Sequence, residues 1–191
     1  MRHVLPKTFF NRPTIAVARD LLGKFLVRKI GTQTIEGMIT EVEAYVGPED
    51  KASHASRGRT ERTKVMFGHP GHWYIYLVYG MHHCLNVVTE KEGYPAAILI
   101  RSIECVSGPG RVSKHFKIEK RLNEKPASQT GGLWIEDRGI CITKLMRGKR
   151  IGVDYAGKWK DKLWRWRVVT WKVKPKKRVA KRLATQHPIL P

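Results

Sequence analysis

Acidic side chains are scarce in this chain. Its 191 residues hold 16 Asp and Glu against 37 Lys and Arg, a formal net charge of +21. Such an imbalance costs self-repulsion unless a polyanion is the partner. DNA or RNA fits that role, because each neutralised phosphate releases condensed counterions. Cysteine is scarce too: Cys84, Cys105 and Cys141 stand far apart and in no CxxC pair. That pattern argues against a disulfide framework and for reduced thiols in an intracellular protein. No apolar run is long enough to span a membrane, and no clean basic amphipathic helix is visible, so an anionic bilayer is the weaker partner. The opening MRHVLPKTFF lacks the apolar stretch and cleavage site of a secretory signal. Also missing are GxGxxG and Walker loops, regular βα alternation and internal repeats.

The length suits one well-buried domain. Residues 14–22 (TIAVARDLL) have helical spacing, with Thr14 as N-cap and Gly23 as stop. Residues 24–29 read as a strand, and 34–45 as a long strand interrupted at Gly37. A turn at 47–50 lets Asp50 cap a short helix over 51–56. Strands over 73–78 and 84–89, joined by a turn at 79–81, make a hairpin. Residues 96–103 (AAILIRSI) form a buried strand carrying one Arg, and 108–111 (GPGR) opens a helix to 117. A mobile loop is expected over 120–132, then strands over 135–144 and 150–155. From Trp159 onward Trp, Lys and Arg alternate. These elements predict an α+β fold: a single compact domain with a curved, mostly antiparallel sheet, flanking short helices and a protruding β-hairpin. The domain is expected over 1–174, with a basic C-terminal tail over 175–191.

Two stretches carry the candidate chemistry, 39–54 (ITEVEAYVGPEDKASH) and 73–86 (WYIYLVYGMHHCLN). On a strand, Glu41, Glu43 and Tyr45 share one face. The bland alternative is an exposed face with two carboxylates paired to local cations. The sharper one is a general base, with Glu43 deprotonating a water that attacks an oxocarbenium-like sugar carbon. Arg101, alone in its apolar strand, is suited to keep Glu43 ionised. Aromatics on strands are usually core, yet Tyr74 and Tyr76 share one strand face, and rings there could sandwich an extruded base. Tyr79, at a turn beside Gly80, suits a wedge between stacked bases. Asn86 offers a donor and an acceptor in one plane. His54, His69, His72, His82 and His83 follow no common metal-site spacing, so no metal is expected. His54 reads as a hydrogen-bond donor.

These strings resemble the alkyladenine (3-methyladenine) DNA glycosylase family, the monofunctional purine-releasing type. The likeness begins at ARDLLGKFLVR and continues through GMITEVEAYVGPEDKASHASRGRTERTKVMFG, PGHWYIYLVYGMHHCLNVVT, AAILIRSIE, SGPGRV and KRIGVDYAGKW. It implies roles by position. Glu43 matches the general base, Arg101 a second holder of the water, and Val153 a backbone carbonyl turned to it. Tyr45 and Tyr76 match rings on two sides of the flipped base, and His54 a hydrogen-bond donor to it. Asn86 matches the side chain that crowds the exocyclic amine of guanine, and Tyr79 the residue inserted into the duplex. The implied reaction is hydrolysis of the N-glycosidic bond of an alkylated, or deaminated, purine, leaving an abasic site. The expected partner is double-stranded DNA, with no cofactor, no metal and no membrane. The expected state is a monomer in the cytoplasm, at the nucleoid in a prokaryote.

Four positions depart from the family's pattern. The segment from Arg101 to Gly108 is short. Thr63 stands where Asn is expected, and Trp73 is bulkier than usual. The stretch 164–171 is richer in Trp and Arg. Two rival functions remain from the residues alone. One is a non-catalytic RNA- or DNA-binding module that uses stacked tyrosines and a basic surface. The other is a metal-dependent nuclease built on Glu41, Glu43, Glu49 and Asp50.

Overall fold

The computed structural model describes residues 2–78 and 80–173. Tyr79 and the tail over 175–191 therefore lie outside the described residues. In chain order the elements are β1 (His3–Val4), α1 (Lys7–Phe10), α2 (Thr14–Leu21), β2 (Phe25–Ile30), β3 (Gln33–Val46), β4 (Trp73–Val78), β5 (His82–Val88), β6 (Ala96–Ile103), β7 (Val106–Ser107), α3 (Pro109–His115), β8 (Leu133–Asp137), β9 (Ile140–Gly148) and β10 (Arg165–Val173). Short 3₁₀ turns occupy His54–Arg57, Lys64–Phe67, Lys120–Leu122 and Asp154–Asp161. The ten strands join one sheet, seven of them in the order β1-β8-β2-β3-β6-β5-β4, with β7 paired to β6 and β10 paired to β3 and β9, and every pairing is antiparallel. This is the expected α+β architecture.

β3 organises the sheet. Its first half pairs with β2 from Gln33 to Met38, and its second half pairs with β6 from Ile39 to Val46. The short run Glu41 to Glu43 also takes the start of β10. Paired on both edges, the strand is central in the sheet, and both Glu41 and Glu43 on its one face are buried. The strand is continuous through Gly37, where an interruption was expected. A Cβ there would lie 2.6 Å from Ile103 Cδ1, so the glycine admits a neighbouring side chain rather than a break. The irregularity falls later, as register shifts on either side of Glu41.

The core lies between the sheet and the helices. Phe10, Leu21, Phe116, Trp73 and Trp166 are among its fully buried side chains, each contributing about 1.5–3 kcal/mol when sealed from water. The α2 N-terminus differs from expectation. Thr14 is the first helical residue, not the cap. Glu90 caps it from another loop, its Oε1 accepting from the Thr14 backbone N–H at 2.6 Å and from its hydroxyl at 2.8 Å. Gly23 does stop the helix, at φ +82°.

Three further expectations are corrected. Residues 120–132 are packed, not loose: the Trp73 N–H bonds the Lys125 carbonyl at 2.9 Å, and Asn123 Oδ1 accepts from the Ile75 N–H at 2.8 Å. The strand read over 135–144 is two, parted at Arg138 and Gly139. Residues 150–155 form no strand, because Arg150 is drawn into the core and the chain turns at Gly152 with φ +75°. Of the departures, the short link after Arg101 is a tight β6–β7 return leading into α3. Thr63 closes the 58–63 loop: its Oγ1 donates to the Gly58 carbonyl and accepts from the Thr60 N–H, both at 2.9 Å. Trp73 fills the core and donates its indole N–H to the Leu133 carbonyl at 3.3 Å. Among the described residues no helix is long and apolar enough to cross a membrane.

Candidate active site

A cavity of about 420 Å³ opens at the end of the sheet where β3, β4, β5 and β6 come together. Its walls include Tyr45, His54, Arg62, Tyr74, Tyr76, Asn86, Arg101 and Val153. Seven of the sequence candidates, all of these but Arg62, thus share one hollow. Glu43 does not line it. Its side chain has no exposed surface, and it sits one layer beneath, behind Tyr45, Arg101 and the segment 151–153.

The Glu43 carboxylate is held from three directions. The Tyr45 hydroxyl donates to Oε2 at 2.8 Å, Arg101 Nη1 donates to Oε2 at 3.3 Å, and the Ile151 N–H donates to Oε1 at 2.9 Å. An ionised carboxylate has about four acceptor positions. Three are spent, and the fourth is the one a water would use. Burial raises the Glu43 pKa above its ordinary value, opposed first by the Arg101 charge and then by the Ile151 N–H and the Tyr45 hydroxyl. Burial also pushes the Tyr45 hydroxyl well up, followed by the Glu43 charge, so Tyr45 stays protonated and remains a donor.

Tyr74 and Tyr76 leave one face of β4 together, with ring centroids 5.2 Å apart. The His54 ring stands edge-on to Tyr76, with centroids 4.6 Å apart. His54 Nδ1 lies 2.8 Å from the Tyr74 hydroxyl. The pair can form with either atom as donor; where the Tyr74 hydroxyl donates to Nδ1, His54 carries its hydrogen on Nε2 and is a donor there. Desolvation, then Arg62 and Arg57, pushes the His54 pKa down to about 4, so the ring is neutral at pH 7. Asn86 spends its amide hydrogens on the carbonyls of Tyr74, at 3.0 Å, and Cys84, at 3.3 Å. It can therefore offer the cavity its Oδ1 acceptor, but not the donor also read from the sequence. The Val153 carbonyl accepts from the Ala156 N–H at 2.9 Å.

Sequence reasoning passed over a supporting group behind Tyr45. Arg150 and Asp50 form a bidentate pair at 2.5 and 2.8 Å, and neither side chain is exposed. Arg150 also donates to the carbonyls of Ala44 and Trp159 and lies 4.9 Å from the Tyr45 ring centroid. The pair ties the turn after β3 to the segment that brings the Ile151 N–H to Glu43. Its signal was present as Asp in GPED and Arg in KRIG, but nothing local joins them. Asp50→Ala would leave a buried guanidinium without its carboxylate, and is expected to cost about 3–5 kcal/mol of unfolding free energy. Urea denaturation measures this; a loss under about 1 kcal/mol would mean the pair is dispensable.

Among the described residues no three His, Cys, Asp or Glu side chains converge as a metal-binding group. The comparisons with known proteins agree with one another. The model of the family described as Methylpurine-DNA glycosylase matches residues 8–171. A protein of Methanocella arvoryzae, named "Putative 3-methyladenine DNA glycosylase", is 47% identical over 184 residues, covering 86% of this chain and 90% of its own. Proteins of the same name from Legionella pneumophila (strain Lens) and the Wolbachia of Brugia malayi are 45% and 42% identical, covering 84% and 86% of this chain and 92% and 97% of their own. The matched region contains the cavity, Glu43 beneath it and the Arg150–Asp50 pair behind it, and on that extent of likeness the chain belongs to the methylpurine-DNA glycosylase family.

Proposed function

We propose that this protein is a 3-methyladenine DNA glycosylase of base excision repair, which takes an alkylated purine out of the duplex and hydrolyses its N-glycosidic bond. The observation that carries the reading is Glu43, a carboxylate with no exposed surface beneath a ring-lined cavity, three of its acceptor positions filled by fixed donors. Burial of such a group is costly unless it is paired and hydrogen-bonded, as Glu43 is. The cavity falls within the usual range of ligand sites, about 300–1,000 Å³.

In this reading a flipped purine enters between Tyr45 and Tyr76. Alkylation leaves the base cationic, and the faces of the two rings favour a cation over a neutral base. His54 donates from Nε2 to an acceptor on the base edge. Asn86 meets the rest of that edge with an acceptor and bulk, which disfavours the exocyclic amine of guanine by crowding. The base pressing on Tyr45 opens the remaining acceptor position of Glu43 to water. Arg101 and the Val153 carbonyl help hold that water, and Glu43 takes its proton as the sugar carbon loses the base. A positively charged leaving group needs no acid. Among the described residues no lysine lines the cavity to supply an amine for a Schiff base, and the product in this reading is an abasic site.

Incubating methylated duplex DNA with the protein, with and without EDTA, tests the reading. Free methylated purines measured by HPLC, unchanged by chelator and with strand breaks only after alkali, are expected. Absence of released bases would leave a binding module, and EDTA-sensitive scission a nuclease. Tyr79 is proposed as the wedge that fills the gap in the duplex. Tyr79→Ser is expected to reduce base unstacking severalfold, read with a fluorescent base analogue; full unstacking in the variant would remove that role.

A further inference from the structure

Behind Glu43 lies a second buried carboxylate that the mechanism above does not use. Glu41 Oε1 accepts from Arg165 Nη1 at 2.9 Å, and Oε2 accepts from the Ser102 hydroxyl at 2.8 Å. Its Oε1 is also 3.6 Å from Arg101 Nε, a nitrogen that makes no hydrogen bond and is held by charge alone. Arg101 is thus spread between two acids, Glu41 at Nε and Glu43 at Nη1. Arg165 reaches further. Its Nε donates to the Lys149 carbonyl at 2.7 Å, two residues before the N–H that binds Glu43. Gly148 makes room for this, since a Cβ there would lie 3.0 Å from the Arg165 guanidinium.

We propose that Glu41 is a positioning residue for base excision: it holds Arg101 and Arg165 around Glu43, and by offsetting their charge it sets the pH at which Glu43 can accept a proton. The inference rests on Glu43 being the general base. Among the described residues the groups facing Glu43 are few. Tyr45 comes from its own strand, Arg101 from β6, Arg165 from β10, Cys84 from β5, and the Ile151 N–H from the segment after β9. Of these only the two arginines are charged at neutral pH, and Glu41 touches both. With Glu41 ionised, two carboxylates meet two guanidiniums. Without its charge, Glu43 faces both cations alone, ionises at lower pH and becomes a weaker base.

The test is the pH profile of single-turnover release of 7-methylguanine and 3-methyladenine from dimethyl sulfate-treated duplex, corrected for enzyme-free loss. These cationic bases need no acid, so the acid limb of the profile follows Glu43. Glu41→Gln is expected to move that limb down by about one pH unit and to lower the plateau about tenfold. Glu41→Asp should return the limb toward the parent position. Arg165→Gln removes a cation instead, so the limb should move up, which gives a second reading if Glu41→Gln does not fold. A lowered plateau with an unmoved limb in both variants would reduce Glu41 to a structural role and overturn the proposal. Failure of the parent protein to release either base would instead overturn the glycosylase reading.

Discussion

Glu43→Gln is expected to retain binding to lesion-bearing duplex while losing base release by about 10²–10⁴-fold, the usual share of a positioned general base. The amide is nearly isosteric, and with its oxygen at the Oε2 position it still accepts from Tyr45 and loses only the bond from the Ile151 N–H, so the cavity above it should stand. What it lacks is a place for the water's proton. Single-turnover HPLC measures release, and fluorescence anisotropy measures binding. Release within threefold of the parent would take the base role away from Glu43; loss of binding alongside release would make it a structural residue. The parent enzyme carries a linked expectation. Burial holds the Glu43 pKa above its ordinary 4.5. As pH falls through that raised value the carboxylate takes up a proton, so release should fade on the acid side above the normal carboxylate range. His54 was pushed the other way, to about 4, and stays neutral through the same interval.

Affinity for duplex DNA is expected to collapse with salt. With a formal net charge of +21, six or more phosphate contacts are expected, and that number corresponds to a fall of about 10³-fold in binding constant between 50 and 200 mM salt. Anisotropy titrations of an undamaged duplex across that interval give the slope. A fall under about tenfold would mean that few of the basic residues face phosphate. The same titration with a lesion duplex should run parallel and tighter, because the added contacts to a flipped base carry no counterions.

The site was legible where its chemistry is local. Side-chain alternation along one strand put Glu43 and Tyr45 on a shared face, and the structure joins them by a hydrogen bond two residues apart. Tyr74 and Tyr76 followed from the same rule. The third support of the carboxylate was not legible. Ile151 acts through its backbone, which has no residue-type signature, and the stretch around it reads as a strand from its Ile and Val. Only the burial of Arg150 against Asp50, 100 residues earlier, turns it otherwise. β10 escaped notice because one edge of its start lies on β3 and the rest pairs with β9 alone, so basic and aromatic side chains follow no simple period. Thr14 misled because its cap, Glu90, arrives from 76 residues away.

The bond from Ile151 to Glu43 spans 108 residues of chain, and that span bears on biosynthesis. A ribosome that has made the first hundred residues has completed Tyr45, His54, Tyr74 and Tyr76 of the hollow, yet Glu43 still lacks a donor that only the last quarter of the polypeptide supplies. On the role proposed for Glu43, chains that stop short of Ile151 should therefore be inert toward the genome even where their early strands have assembled.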